Sequence, residues 1–431
     1  MLSNKNNKRK SSRNNKKTKK RNNVKSKNRK YRNNRNNRNN KSLIGGAGQY
    51  PPPQNNDYTY EYIATLGTTR SRGSSNTQFS NPTGVAVSAA DNRIYVVDYK
   101  NHRVQIFDGA SRNYIATIGT TGSAGSSNTQ FNHPWGVAVS AADNRIYVVD
   151  QGNHRVQVFD GNTPNYEYIA TLGTTAYRGA SNKQFYEPVG VAVSAADNRI
   201  YVADSGNHRV QIFDGASRNY DWIATLGTTG SRGSSKTEFY NPGGVAVSAS
   251  DNRIYVADYK NHRVQIFDGA SRNYIATIGT TGSAGASNTQ FNNPIGVTVS
   301  AADNRIYVAD RNNHRVQVFD GDTRNYDWID TLGSKGDSKS EFYNPGGVAV
   351  SATDNLIYVV DSANERIQVF TQNKSPGILY KDYPHNGTRY KNNSPSPEYV
   401  ESLSENTAAR QDPTGNPNLV QYNVFNPHNY N

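Results

Sequence analysis

The feature that most constrains this chain is one stretch of sequence that occurs six times. Its clearest copy runs from Asn81 to Phe107 and reads NPTGVAVSAADNRIYVVDYKNHRVQIF. An aspartate within the stretch recurs at spacings of 52, 54, 54, 52 and 51 residues. Units that repeat this regularly bury their apolar faces against one another, so they predict one closed structure instead of separate domains.

Each unit predicts four short strands that are rich in Val, Ile, Tyr and Phe. In the clearest copy these strands are residues 84–88, 93–98, 103–108 and 114–118. In the second strand, Ile94 and Val96 point to one side, whereas Tyr95 and Val97 point to the other. Both sides of the sheet are therefore apolar, which favours small sheets stacked face to face around an axis.

The ends of the repeat region predict how such a ring closes. The last unit has a third strand, Ile367–Phe370, and then the polar residues 371–373, which we interpret as a break. The chain begins with one unattached fourth strand, Tyr60–Gly67. We expect this strand to complete the last sheet, because the pairing hides two edges that would otherwise promote aggregation. The predicted fold class is all-β, a six-bladed β-propeller of four-stranded blades.

The frame NPxGVAVS…NRIYVxDxxNHRVQxFDG resembles the NHL repeat, and the resemblance covers about residues 58–371. The Asn-His-Arg-Val core begins at Asn101 in the clearest copy, and the last copy departs from it with Glu365. The resemblance implies a six-bladed propeller, some relatives of which bind single-stranded RNA and others proteins. Peptidylglycine-amidating lyase also resembles this fold and uses a channel metal. Its site is asymmetric, however, whereas these blades are nearly alike.

The flanking segments, 1–57 and 372–431, differ in composition from the repeats. Residues 1–41 carry 18 Lys or Arg and no acid, which leaves the remainder of the chain at a net charge of −3. We expect both flanks to be disordered, and the basic arm to bind polyanions such as nucleic acid. Residues 16–21 also resemble a nuclear localisation signal. The arm residues expected to contact the polyanion are Lys16, Lys17, Lys19, Lys20, Arg21, Lys25, Lys27, Arg29 and Lys30.

Several classes of protein are disfavoured by what the sequence lacks. There is no cysteine, so disulfides and thiolate metal sites are excluded. No apolar run approaches the length of a membrane span, and the N-terminus has no signal-peptide core. We therefore expect an intracellular, monomeric protein of the cytoplasm or nucleus, with no membrane contact and no cofactor.

Five recurring histidines invite a metal hypothesis. They are His102, His154, His208, His262 and His314. A metal site needs converging ligands, whereas equivalent positions on stacked sheets lie roughly 10 Å or more apart. We interpret the Asp98…His102-Arg103 motif as structural, with the carboxylate accepting hydrogen bonds from the turn and from the Arg or His that follows.

The variable positions predict a binding face on one side of the ring. The turns between the second and third strands lie on the same side as the loops between blades, and their sequences differ among blades. The candidate residues there are Tyr99, Lys100, His133, Trp135, Tyr186, Tyr240, Tyr259, Lys260 and Arg311. Exposed aromatic and basic residues suit a protein or peptide, or a single nucleic-acid strand. The alternative is that these aromatic residues only cover the inner strands.

The sequence therefore predicts a non-enzymatic scaffold that binds a protein or peptide. A single-stranded RNA-binding protein and a metal-dependent lyase or hydrolase are the two alternatives.

Overall fold

A computed structural model describes residues 58–374 of this chain. The predicted basic arm (1–57), including the segment 16–21, and the tail beyond residue 374 lie outside the described residues. Within the described part the fold is all-β, as predicted, with six four-stranded sheets and one additional two-stranded pairing. The only helical elements there are six single-turn 3-10 helices.

Each of the six blades is an antiparallel sheet. The first strand in the chain, β1 (Tyr58–Gly67), belongs to the sixth blade. Blade 1 contains β2 (Pro82–Val87), β3 (Ile94–Asp98), β4 (Arg103–Phe107) and β5 (Tyr114–Gly119). Blade 2 contains β6 (Pro134–Val139), β7 (Arg145–Asp150), β8 (Arg155–Asp160) and β9 (Tyr168–Gly173). Blade 3 contains β10 (Val191–Val193), β11 (Arg199–Asp204), β12 (Arg209–Asp214) and β13 (Trp222–Gly227).

Blades 4 to 6 follow the same order. Blade 4 contains β14 (Pro242–Val247), β15 (Ile254–Asp258), β16 (Arg263–Phe267) and β17 (Tyr274–Gly279). Blade 5 contains β18 (Pro294–Val299), β19 (Ile306–Asp310), β20 (Arg315–Phe319) and β21 (Trp328–Leu332). Blade 6 contains β24 (Pro345–Val350), β25 (Ile357–Asp361), β26 (Arg366–Lys374) and β1. The short strands β22 (Ser334–Lys335) and β23 (Glu341–Phe342) pair in parallel in the loop that enters blade 6.

The core lies between blades, as the two-sided apolar pattern predicts. Five of the six buried clusters combine residues of two adjacent blades, and the cluster between blades 5 and 6 also includes Val189 of blade 3. In the cluster between blades 2 and 3, for example, Tyr147 and Val149 pack with Val191 and Ile200. The first strands of the six blades contact one another in a closed cycle around the axis.

The ring closes as predicted, through pairing of its two ends. In the antiparallel register of β1 and β26, Tyr62 lies opposite Phe370 and Gly67 opposite Arg366. Leu66 is buried in the cluster that joins blade 6 to blade 1. The backbone of β1 therefore supplies the outer strand of blade 6, the blade formed by the last repeat.

The predicted break at residues 371–373 is wrong, because β26 continues to Lys374. Residues 371–374 find partners since β1 begins at Tyr58, which lies opposite Lys374. The polar side chain of Gln372 is also held, because Tyr307 Oη donates a hydrogen bond of 3.0 Å to its Oε1. This partner is on blade 5, so the local sequence gave no sign of it.

Glycine after the proline of each inner strand permits close contact at the axis. A Cβ atom on Gly190 would lie 2.6 Å from the carbonyl oxygen of Gly243, and one on Gly84 would lie 2.7 Å from that of Trp135. Backbone in the neighbouring blade cannot move aside as a flexible side chain can. The Pro-x-Gly-Val motif is thus a requirement of the packed ring.

The connections divide the ring into two faces. The loop face carries the 3-10 turns between second and third strands, together with the long loops that enter the blades. These turns are Tyr99–Asn101, Gln151–Asn153, Ser205–Asn207, Tyr259–Asn261, Arg311–Asn313 and Ser362–Asn364. Each turn is bonded to the loop that enters its own blade, as in the 3.0 Å bond from Lys100 N to Ser80 O. The turn face carries the remaining connections, for example residues 88–93 and 108–113.

We predict that shortening Leu66 to alanine will destabilise the protein by about 2–5 kcal/mol, because the cavity opens in the cluster that joins blade 6 to blade 1. Ile63→Ala is the matched control in the same strand, since Ile63 is 40% exposed, and it should cost about 0.5 kcal/mol or less. Chemical denaturation measures both variants. A cost for Leu66→Ala as small as that of the control would mean that β1 is not needed to hold the ring.

Candidate functional site

The aspartate of each repeat is the centre of a buried polar network. Asp98 Oδ1 accepts a 2.7 Å hydrogen bond from the backbone N–H of Ser80. Its Oδ2 accepts bonds of 2.7 Å from Asn101 Nδ2 and 2.9 Å from Arg103 Nε. Burial raises the pKa of the Asp98 carboxyl, and these three donors oppose that rise. The aspartate and the arginine are both almost fully buried, so they form a structural ion pair.

The guanidinium also fastens the long loop that enters the blade. In blade 1, Arg103 Nη1 donates to the carbonyl oxygen of Ser74 at 2.8 Å, and Nη2 donates to those of Ser75 and Gln78 at 2.8 and 3.0 Å. The other five pairs are Asp150–Arg155, Asp204–Arg209, Asp258–Arg263, Asp310–Arg315 and Asp361–Arg366. The predicted structural role of the aspartate is observed, but its partners include no histidine.

The recurring histidines bond to the next blade instead. His102 adopts a left-handed backbone conformation, and its Nδ1 accepts a 3.0 Å bond from the backbone N–H of His133. His154, His208, His262 and His314 accept equivalent bonds from Glu187, Asn241, Asn293 and Asn344. Burial lowers the pKa of all five rings, which favours the neutral form that can accept.

Glu365 replaces the histidine at the seam between blades 6 and 1. Its Oε2 accepts from the backbone N–H of Asn81, and its Oε1 forms an ion pair of 2.9 Å with Arg72 Nη2. The same contact between blades is therefore made with a carboxylate. Among residues 58–374, no three His, Asp or Glu side chains converge to hold a metal.

Five predicted face residues lie on the loop face in two groups of different construction. At the junction of blades 1 and 2, the Tyr99 ring lies 4.7 Å from the His133 ring and 5.3 Å from the Trp135 ring. At the junction of blades 4 and 5, Lys260 Nζ lies 4.9 Å from the ring of Tyr259. The first group is a cluster of aromatic rings, and the second is a cation beside a phenol.

The predicted residues Tyr186 and Tyr240 each lie beside a basic residue that the prediction missed. Arg178 lies 5.1 Å from the Tyr186 ring and Arg232 lies 5.5 Å from the Tyr240 ring. Lys335 lies 5.5 Å from Tyr343, which is 41% exposed.

The sequence does contain a signal for these pairs. The basic residue precedes its tyrosine by eight positions, and in the two blades that have asparagine in place of tyrosine an alanine stands there, Ala124 or Ala284.

Arg311 is the predicted face residue with the least satisfied side chain. Its Nη1 is buried without a hydrogen-bond partner. No carboxylate of the described residues forms an ion pair with it. Burial lowers its pKa, and the nearby phenol of Tyr259 partly offsets this effect.

The inner strands enclose a cavity of about 240 Å³ at the axis. Its walls are mostly Val, Ala and Gly, with Trp135 and Ile295 as larger apolar side chains and Thr83 and Thr298 as the polar ones. At the loop-face end, Val189 and Ile295 are buried, and Trp135 packs against the cluster that contains them. The cavity thus offers no group of titratable residues for catalysis among the described residues.

Charge is divided between the two faces. The connections of the loop face, within residues 68–365, contain eleven basic and five acidic residues, the latter being Glu187, Glu238, Asp337, Glu341 and Glu365. Those of the turn face contain seven basic and thirteen acidic residues. The near-neutral balance of the whole chain outside the arm therefore conceals a basic face and an acidic one.

Comparison with known proteins finds the family model described as NHL repeat. It matches residues 79–107, 131–159, 185–213, 239–267, 291–319 and 342–370, one match in each blade. The chain is 25% identical over 324 residues to Protein SUPPRESSOR OF QUENCHING 1, chloroplastic, of Arabidopsis thaliana, covering 68% of this chain and 30% of that protein. It is 26% identical over 339 residues to human NHL repeat-containing protein 2, covering 67% and 46%.

Among solved structures, a structural genomics protein of unknown function from Bacteroides thetaiotaomicron is similar, with a TM-score of 0.56 and 15% identity over 73% of this chain and 76% of that one. That likeness concerns the fold alone. The chain spans less than half the length of the two curated relatives. No helix within residues 58–374 has the length and apolar character needed to cross a membrane.

We predict that Arg209→Met will destabilise the protein by about 3–5 kcal/mol, because it leaves the buried carboxylate of Asp204 uncompensated. Arg199→Met is the matched control. Its ion pair with Asp197 has a similar length, 3.1 Å, but both side chains are 29% exposed, so its loss should cost about 1 kcal/mol or less. Urea denaturation compares them. If both variants lose the same free energy of unfolding, the buried ion pair is not what holds the loop in place.

Proposed function

The chain belongs to the NHL repeat family, and from that premise we propose that it is a non-enzymatic scaffold whose loop face binds a protein or peptide. The basic arm, residues 1–41, adds electrostatic attachment to a polyanion. The two activities are independent, because one uses shaped side chains and the other uses net charge.

One observation carries the proposal for the loop face. The polar residues that all blades share are occupied by bonds within the ring, as in the Asp98–Arg103 pair. The residues that differ among blades include partly exposed aromatic rings beside cations, such as Tyr186 with Arg178. Rigid aromatic side chains and arginines are the residues that most often contribute the binding energy of protein interfaces.

A single-stranded RNA is the second candidate for the same face. The observation in its favour is the surplus of basic over acidic residues in the loop-face connections. Bases could stack on exposed rings while the cations contact phosphates. The two candidates differ in salt dependence, because RNA binding releases counterions and should weaken steeply with salt.

A metal-dependent lyase or hydrolase is the third candidate, and the shared polar residues disfavour it. Such a site needs unlike residues that converge at the axis, whereas the cavity here is lined mostly by Val, Ala and Gly and by no titratable residue among those described. Elemental analysis of the purified full-length protein distinguishes this candidate. A stoichiometric transition metal that survives dialysis would favour the enzyme over the scaffold.

We expect Trp135→Ala, and separately the double variant Tyr99→Ala/Lys100→Ala, to weaken capture of the partner at least tenfold, because each removes an aromatic contact surface. The measurement is a quantitative pull-down with the full chain as bait. Ile115→Ala and Arg218→Ala are the controls, since both side chains are exposed outside the loop face. Partner recovery that is equal in all four variants would reject the face. Each variant is first checked for an unchanged melting temperature.

We expect deletion of residues 1–41 to abolish salt-sensitive binding to nucleic acid. Each phosphate neutralised contributes about −0.7 to the slope of log K against log salt concentration for a single strand, so the slope should approach zero in the deletion. Fluorescence anisotropy with a short single-stranded RNA measures it. Deletion of residues 375–431, which contain four basic and five acidic residues, is the control and should leave the slope unchanged. An unchanged slope in the arm deletion would contradict the proposal.

A further inference from the structure

Two segments of the chain are identical, so the surroundings of the tyrosine that begins each of them can be compared directly. Residues 99–125 and 259–285 are identical at all 27 positions, and they occupy equivalent places three blades apart. Both copies therefore present a Tyr-Lys turn on the loop face. Differences between the two sites arise from residues outside these segments, and the largest on the loop face are in the blade that follows each of them.

In the first copy the neighbouring blade fills the space beside the tyrosine with rings. Tyr99 contacts His133 and Trp135, and the turn of that blade begins with the neutral Gln151. In the second copy the equivalent positions are the smaller residues Asn293 and Ile295, and the turn begins with Arg311. The neighbouring blade thus supplies a guanidinium close enough for the Tyr259 phenol to affect its charge, in place of the two rings of the first copy.

The guanidinium of Arg311 has no anionic partner in the described part of the chain. The adjacent carboxylate, Asp310, accepts bonds from Asn292 N, Asn313 Nδ2 and Arg315 Nε. The nearest charged group of the preceding turn, Lys260, is also a cation. The Nη1 atom, moreover, is buried without a hydrogen-bond partner.

Such a group is costly in the free protein. Desolvating a charged donor without pairing it disfavours the folded state, and this burial is what lowers the pKa of Arg311. The residue as a whole remains partly exposed, so an anion can approach it from solvent. Because Nη1 itself is buried, a ligand carboxylate would pair with the other guanidinium N–H groups, and it would supply the missing counter-charge through charge-assisted hydrogen bonds.

We propose that Arg311, flanked by Tyr259 and Lys260, is a subsite that binds a carboxylate of the peptide ligand. This inference rests on the proposed function of the loop face and names the ligand group that it recognises. A planar carboxylate matches the guanidinium with two parallel hydrogen bonds, and the Tyr259 hydroxyl can donate a third. Lys260 is exposed, so solvent already compensates its charge, and one negative charge is enough for the partly buried guanidinium. A phosphate dianion would bring a second charge that must also be desolvated.

The test uses small probes, so it does not depend on knowing the partner. The melting temperature of the full-length protein is measured with N-acetyl-glutamate amide, in which the side chain is the sole carboxylate, and with N-acetyl-glutamine amide at matched ionic strength. N-acetyl-glycine represents a C-terminal carboxylate, and inorganic phosphate represents the phosphate of a nucleic acid. We expect a rise in melting temperature with one or both carboxylates, and none with the glutamine amide.

The variant Arg311→Gln copies the residue found at the equivalent position, Gln151. We expect it to reduce the carboxylate-induced rise at least fivefold, and to leave the melting temperature without ligand unchanged or higher, because the unpaired buried charge is removed. Lys100→Gln, in the identical segment of the first copy, is the matched control and should keep the full response. Lys260→Gln should reduce it partially.

Three results would overturn the subsite: an equal response to glutamate and glutamine amides, a larger response to phosphate than to either carboxylate, or an Arg311→Gln variant that keeps the response but unfolds at a lower temperature. The last result would assign Arg311 a purely structural role. A failure of the proposed function gives a different result. In that case the Trp135→Ala variant captures the partner as well as the unmodified protein does, while the carboxylate still raises the melting temperature.

Discussion

Everything on the loop face depends on a buried ion pair that each blade repeats. The carboxylate of Asp98 and its equivalents would be costly to bury alone, but here it accepts hydrogen bonds from an arginine, an asparagine and a backbone N–H. The arginine then donates to three carbonyl oxygens of the loop that enters the blade. A loop with little apolar sequence is thereby held in a defined position. The variable side chains that the loop carries are positioned by the same bonds.

The histidines extend this order from one blade to the next. Because each neutral ring accepts a bond from the following blade, the junctions have nearly the same geometry around the ring. Glu365 makes the corresponding contact at the seam, where β1 and β26 also pair. The residues that all blades share therefore stabilise the fold, and differences in binding must come from the residues between them. This division explains why a chain of nearly identical blades can still present an asymmetric surface.

Much of the architecture was predictable because it follows from local pattern. The apolar residues on both sides of the second strand, such as Tyr95 and Val96, required sheets on both sides, and the strand count at the two ends predicted the seam. The extension of β26 to Lys374 was missed because Gln372 finds its partner, Tyr307, on a different blade. The pairs of Arg178 with Tyr186 and Arg232 with Tyr240 were also missed, although an eight-residue spacing in the sequence marks them.

The sequence by itself determined the number of blades, their closure and the residues that vary among them, since the repeat count, the strand count at its two ends and the alternation of apolar residues are all visible along the chain. Only the tertiary structure decided what those varying residues meet. Tyr99 and Tyr259 lie in identical segments, yet one packs against aromatic rings and the other lies near a guanidinium. The reason is physical: burial and pairing of a side chain depend on the adjacent blade, whose residues are distant in the chain. The charge of each face was likewise set by which connections the ring brings together.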